Sequence, residues 1–184
     1  MLLEVEAIAT KYAWAAALVI LATPAFAEAP HVKRFFDAAL YGSVADVRRL
    51  VEQDKSLAAA RDPNGFTVLH IVATEDRPEV QRLLLQSGAD PNAVNDDGAS
   101  PLHIASYPGF AALLLRHGAR VNLATKNRDT PLHSHASERD SAEVIRVILK
   151  AGGDRRLRNR QGQTAFDIAK SRDDAELMRL LKPE

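Results

Sequence analysis

Thr130-Pro131-Leu132-His133 decides how this chain is read, because it recurs. Close variants are Thr67-Val68-Leu69-His70 and Ser100-Pro101-Leu102-His103. A fourth copy, Thr164-Ala165-Phe166-Asp167, ends in Asp where the others have His. The histidines are 33 and 30 residues apart, and Asp167 follows His133 by 34. A period of this size marks stacked supersecondary units, each too small to bury its apolar face alone.

Every residue of the motif has a structural use. Proline suits a first helical turn, where its missing N–H is not needed and its φ is already helical. Thr or Ser just before it caps the helix. Leucine fills the core. Histidine carries a donor and an acceptor on one flat ring, so it can bridge its own turn to the neighbouring unit. His70, His103 and His133 therefore read as scaffold.

Working outward, Asp62-Pro63-Asn64-Gly65 is a turn by composition. The run Val80, Leu83, Leu84, Leu85 gives one helical face, and Gly88 is placed to end that helix in a left-handed conformation. The pattern Gly-x-Thr-x-Leu-His, two short helices, and Leu-Leu-Leu-x-x-Gly-Ala-Asp-x-Asn resembles the ankyrin repeat over roughly residues 32–184. The resemblance implies an all-α solenoid: stacked helix-turn-helix units, β-hairpin-like finger loops at right angles to them, and a concave groove between fingers and inner helices. The expected division is an N-terminal cap over 31–64, repeats over 65–97, 98–127 and 128–161, and a C-terminal cap over 162–184, all within a 28–184 domain.

Two irregularities stand out. His70 to Gly88 is 18 residues, but His103 to Gly118 is only 15. The three missing residues, nearly one helical turn, fall around Tyr107-Pro108-Gly109-Phe110, and a shortened helix and a dent in the stack should follow. The third unit has Ser134-His135 where the others have Ile71-Val72 and Ile104-Ala105. His135 is read as filling space left by small residues such as Ala105 and Ala169, so His135→Ala is expected to preserve or raise the melting temperature.

Composition narrows the function. The hydrophobic share is 46% with only 5% aromatic, which suits closely packed Ala- and Leu-rich helices. Net charge is zero, which gives no global field toward nucleic acid. The absence of cysteine excludes disulfides, thiolate metal sites and a cysteine nucleophile. His133 and His135, two apart on a helix, point some 200° away from each other and do not converge on a metal. Ser134 and Ser137 lack a strand-turn-helix elbow and oxyanion donors, and no glycine-rich phosphate loop exists. No catalytic, cofactor or metal residues are assigned, and the chain is not expected to be an enzyme.

The N-terminus reads as an address. Residues 13–22 are uncharged, Lys11 precedes them, Thr23-Pro24 breaks the helix, and Ala25-Phe26-Ala27 supplies small residues for a cleavage site. This resembles a secretory signal peptide over 1–27, cut after Ala27. It falls short of the ~20 apolar residues that a membrane span needs. Cleavage leaves 157 residues of net charge +1. An exported, cysteine-free chain fits a bacterial periplasm.

The resemblance implies a monomer that binds another protein, with no nucleic acid and no membrane insertion after cleavage. The groove and fingers are assigned Tyr41, Phe66, Thr74, Glu75, Asp97, Tyr107, Arg128, Glu138, Arg139, Arg158, Arg160 and Gln163, with Tyr107 foremost. Finger tips run from acidic (Asp62, then Asp96 with Asp97) to basic (Lys126 with Arg128, then Arg158 with Arg160). Such polarity would orient a partner. The partner, another protein, is expected to be assisted, protected or inhibited. The alternatives are immunity toward a periplasm-acting toxin and a structural role in the envelope.

Overall fold

A computed structural model describes residues 30–183. The expected signal segment lies outside the described residues. Helices alternate along the chain in pairs: α1 (Pro30–Tyr41) with α2 (Val44–Gln53), α3 (Val68–Ile71) with α4 (Pro78–Gln86), and α5 (Pro101–Ile104) with α6 (Pro108–Arg116). Two further pairs are α7 (Pro131–Ala136) with α8 (Ala142–Lys150), and α9 (Ala165–Ser171) with α10 (Ala175–Leu181). First helices pack on first helices and second on second, giving two layers with one continuous core. Among the described residues there is no strand, only an isolated antiparallel bridge from Arg61 to Thr67. The all-α solenoid expected from the repeats is what the structure shows.

The sequence enforces each joint locally. Ser43 and Asp46 close a capping box at the start of α2, with the Asp46 amide donating to Ser43 Oγ at 3.1 Å. Pro78, Pro108 and Pro131 begin their helices. Gly88, Gly118 and Gly152 end α4, α6 and α8 at φ of 91°, 88° and 93°. Beyond each, the next amide reaches back to Leu84, Leu114 or Ile148 carbonyl at 3.0–3.1 Å, which satisfies a terminal carbonyl. Gly153 follows from Ile148, because a Cβ there would lie 2.8 Å from Ile148 Cγ2. Leu69, Leu102 and Leu132 are fully buried, each worth about 1.5–3 kcal/mol of transfer free energy.

The motif histidines act as staples. In each, Nδ1 accepts the cap residue's amide (3.0–3.2 Å) and lies 2.8–2.9 Å from its hydroxyl. Nε2 donates to a carbonyl of the next finger: Ala99 for His70, Asp129 for His103 and Gln163 for His133, at 2.9, 3.1 and 3.0 Å. The ring is thus neutral, with its proton on Nε2. Asp167 reproduces only the near half, accepting from Thr164 N and Oγ1 at 2.9 Å. No further finger among the described residues calls for a second donor.

Side-chain clamps between units repeat as well. Asn92 Nδ2 donates to Gly118 O and its Oδ1 accepts the Arg120 amide. Asn122 does the same with Gly152 O and the Asp154 amide. Arg77 reaches back to the carbonyls of Ala39 and Gly42 at the end of α1, and Arg172 to Ser137 O at the end of α7. Both guanidinium groups meet carbonyls left open by helix ends.

The missing turn is in a first helix. α3 continues into a 3₁₀ turn over Val72–Thr74, whereas α5 stops at Ile104 and Ala105 is extended. The Ser106 amide, which would have bonded Leu102 O in a longer helix, donates instead to Ala73 O at 3.0 Å. His135 from α7 takes its place, with Nε2 2.9 Å from Leu102 O. The His135 ring is buried, and burial lowers its pKa to about 4, against the Leu102 hydrogen bond. His135 is therefore a bonded core residue. This corrects the expectation that trimming it would be harmless.

Candidate functional site

The fingers supply one row of exposed groups. Each is a tight turn closed twice, for example by the Gly98 amide on Asn95 O (2.9 Å) and the Asn95 amide on Ala99 O (3.0 Å). The same pair of bonds recurs at Asp62/Gly65/Phe66, Thr125/Arg128/Asp129 and Asn159/Gly162/Gln163. Neighbouring fingers are tied by main-chain bonds: Asp96 N to Asn64 O (3.0 Å), Lys126 N to Asp97 O (2.9 Å) and Arg160 N to Asn127 O (2.9 Å). The tips therefore form one continuous rim.

Asp96 and Asp97, then Lys126 and Arg128, then Arg158 and Arg160 are exposed along that rim. Two sequence assignments fail on it. Asp62 is 6% exposed and turned inward, its Oδ1 accepting the Asn64 and Phe66 amides at 2.8 Å. Burial raises its carboxyl pKa, with Asp96 adding to the rise against those two hydrogen bonds. Phe66, expected in the groove, is 9% exposed and packs edge-on against the His70 ring at 5.5 Å. It belongs to the core cluster, against the ring of the first motif histidine.

Arg158 is exposed but engaged, with Nη1 2.5 Å from Gly162 O and 3.6 Å from Asp167. Arg155 donates to Leu180 O at the end of α10. The basic run thus spends two of its arginines on its own fold and leaves Arg156 and Arg160 facing solvent. Gln163 is half-buried and contributes main-chain groups to the scaffold.

A second row follows the ends of the first helices and the turns beyond them. Tyr41 closes α1 and is 69% exposed; Tyr107 caps α6 beside the missing turn and is 39% exposed. Thr74 is half-buried and Glu75 exposed, with Glu75 O accepting from Gln81 Nε2 at 2.8 Å. Glu138 is half-buried; burial raises its carboxyl pKa, and nearby Arg172 opposes the rise. Arg139 lines an open basin with Asp140, Arg172, Asp173 and Asp174. The structure distributes the assigned residues over these two rows, with Phe66 removed.

Both ring nitrogens of His133 are engaged by Thr130 and Gln163, and His135 is bonded to Leu102 O. Among the described residues no three His, Cys, Asp or Glu side chains converge as a metal site, and no helix is long and apolar enough to cross a membrane.

One residue carried a signal that sequence reading passed over. The finger-tip column reads Gly65, Gly98, Arg128, Gly162, and all four have positive φ, of 77°, 82°, 63° and 76°. Arg128 occupies a glycine position.

Two family models described as ankyrin repeats match the chain, over residues 35–125 and 114–169. Among curated relatives, the transient receptor potential cation channel subfamily A member 1 homolog of Caenorhabditis elegans is 30% identical over 77% of this chain and 12% of that protein. The mouse B-cell lymphoma 3 protein homolog is 35% identical over 65% of this chain and 27% of its own length. The chicken nuclear factor NF-kappa-B p105 subunit is 31% identical over 82% and 16%. The chain spans about a quarter or less of the length of these relatives. The match to both family models, the stapling histidines and the stacked helix pairs make this chain a member of the ankyrin-repeat family.

Proposed function

We propose that this protein is an exported binding module that holds a partner protein against its finger rim and first-helix ends. The observation that carries the reading is a division of labour. The motif side chains are used up inside the stack, while Tyr41, Tyr107, Arg128 and Arg160 stand exposed on its surface. Tyrosine and arginine are the residue types that most often anchor interfaces. The export component of this reading is supported by the signal-like sequence of residues 1–27, and the role proposed is that of a periplasmic accessory that assists, protects or inhibits its partner.

The test is affinity capture from a periplasmic extract with the full chain as bait. One stoichiometric partner is expected, and Tyr107→Ala with Arg160→Glu should weaken its capture by about tenfold or more. Capture that survives both changes unaltered would remove the rim and helix ends from the interface. N-terminal sequencing of the periplasmic form should begin at Glu28, and retention of the first residues in a cytoplasmic fraction would reject export.

A further inference from the structure

Arg128 sits where chain chemistry argues against it. Left-handed φ disfavours side chains with a Cβ, and Asn and Asp tolerate it better than Arg does. The other two non-glycine residues at positive φ are both Asp, Asp140 and Asp173. Two sibling positions are crowded, since a Cβ on Gly65 would come within 2.7 Å of Asp96 Oδ1 and one on Gly98 within 2.9 Å of Lys126 N, while one on Gly162 would meet nothing within 4 Å. A strained residue held by well-ordered surroundings points to function. Nothing within the fold explains Arg128, whose guanidinium is exposed and makes no ion pair or hydrogen bond among the described residues.

Its neighbours indicate a ligand. The Arg160 amide bonds Asn127 O, which sets the fourth finger directly against the residue preceding Arg128. Lys126 belongs to the same tip, and both Lys126 and Arg160 are exposed. Arginine presents a planar fork that pairs with carboxylates through two parallel hydrogen bonds. On the other side, the Lys126 amide bonds Asp97 O, so acidic Asp96 and Asp97 flank the basic cluster. A uniformly negative polymer laid along the rim would meet that repulsion, whereas a short acidic segment would not.

We propose that Arg128, with Arg160 and Lys126, forms a carboxylate clamp on the finger rim that takes an acidic segment of a partner protein. This rests on the binding-module reading and specifies the chemistry of one part of its surface. Arg128 is kept in a left-handed conformation because the clamp requires a guanidinium at the tip.

The proposal predicts opposite signs for stability and binding in one variant. In the full chain, Arg128→Gly should raise Tm by about 2–4 °C, because glycine accepts the native φ. The same variant should bind a fluorescent oligo-glutamate peptide about tenfold more weakly, and the wild-type affinity should fall with added salt. Arg128→Lys, which keeps the charge and loses the fork, should fall between them. Oligo-lysine and single-stranded DNA serve as comparison probes. Unchanged peptide binding by Arg128→Gly would overturn the clamp, as would a lowered Tm or failure of wild type to bind the peptide. Equal affinity for single-stranded DNA would overturn the assignment to a protein segment. If Arg128→Gly captures the periplasmic partner as well as wild type does, the clamp is wrong and the binding module stands. If wild type captures nothing, the module reading itself fails.

Discussion

Between pH 6.5 and about 4 this protein should lose most of its stability. His70, His103 and His135 are buried, and burial lowers each pKa from 6.5 to about 4, against the carbonyl that each donates to. In the unfolded chain the same rings titrate near their ordinary value. Within that window the unfolded state binds more protons, so stability falls as pH falls. Well above pH 6.5 the rings are neutral in both states and contribute no slope. A shift of this size corresponds to about 3 kcal/mol per histidine, and total domain stability is only about 5–15 kcal/mol. At His70 and His103 protonation also removes the acceptor at Nδ1, so the cap residue's amide loses its partner. Asp62 and Glu138 work with the opposite sign, because burial raises their carboxyl pKa and the fold takes up their protons first. Three histidines outweigh two carboxyls. Thermal melts followed by circular dichroism from pH 7 downward should show a steep fall in Tm. His103→Gln, which keeps a donor and an acceptor without titrating, should lower Tm at pH 7 and flatten its pH dependence. A wild-type Tm that stays level to pH 4.5 would rule out the histidines as the acid-sensitive groups.

The second large effect concerns the short repeat. His135→Ala should destabilise by about 2–4 kcal/mol, because it leaves a cavity and strips Leu102 O of its donor in a buried place. The informative experiment is a cycle. Inserting Val-Ala-Thr after Ile104 copies the turn over Val72–Thr74 into the second repeat. With His135 present that insertion should destabilise, since the ring already satisfies Leu102 O. Combined with His135→Ala, it should cost clearly less than the two single changes added together. Contacting residues couple in this way. Strict additivity in chemical denaturation would show that the short helix and His135 are independent.

The architecture was legible because it is written repeatedly. A proline at N1, a hydroxyl cap and a two-nitrogen ring state the helix start and the staple in four residues, and the copies average out local accident. What stayed hidden depended on two repeats at once. His135 looks anomalous beside Val72 and Ala105 until the missing turn thirty residues earlier is set against it. Phe66 follows a finger glycine and reads as a tip residue, but it is buried in the core beside the His70 ring. Asp62 carries a formal charge and reads as rim, yet two backbone amides hold it inside its own turn. Arg128 was readable in principle: aligning Gly65, Gly98 and Gly162 exposes it as the one side chain in a column of glycines.

The far end of every staple is main chain. His70, His103 and His133 reach carbonyls belonging to Ala, Asp and Gln, three residues with nothing else in common. A joint that ignores its neighbour's side chain lets a unit be duplicated, deleted or exchanged without rewriting the units beside it. The joint is also directional. Cutting the array behind a histidine-bearing unit strands a buried side-chain N–H, whereas removing units from the front strands backbone amides such as those of Ser106 and Asp96, which donate to the unit before. Surface residues can therefore diverge copy by copy while these main-chain joints stay fixed.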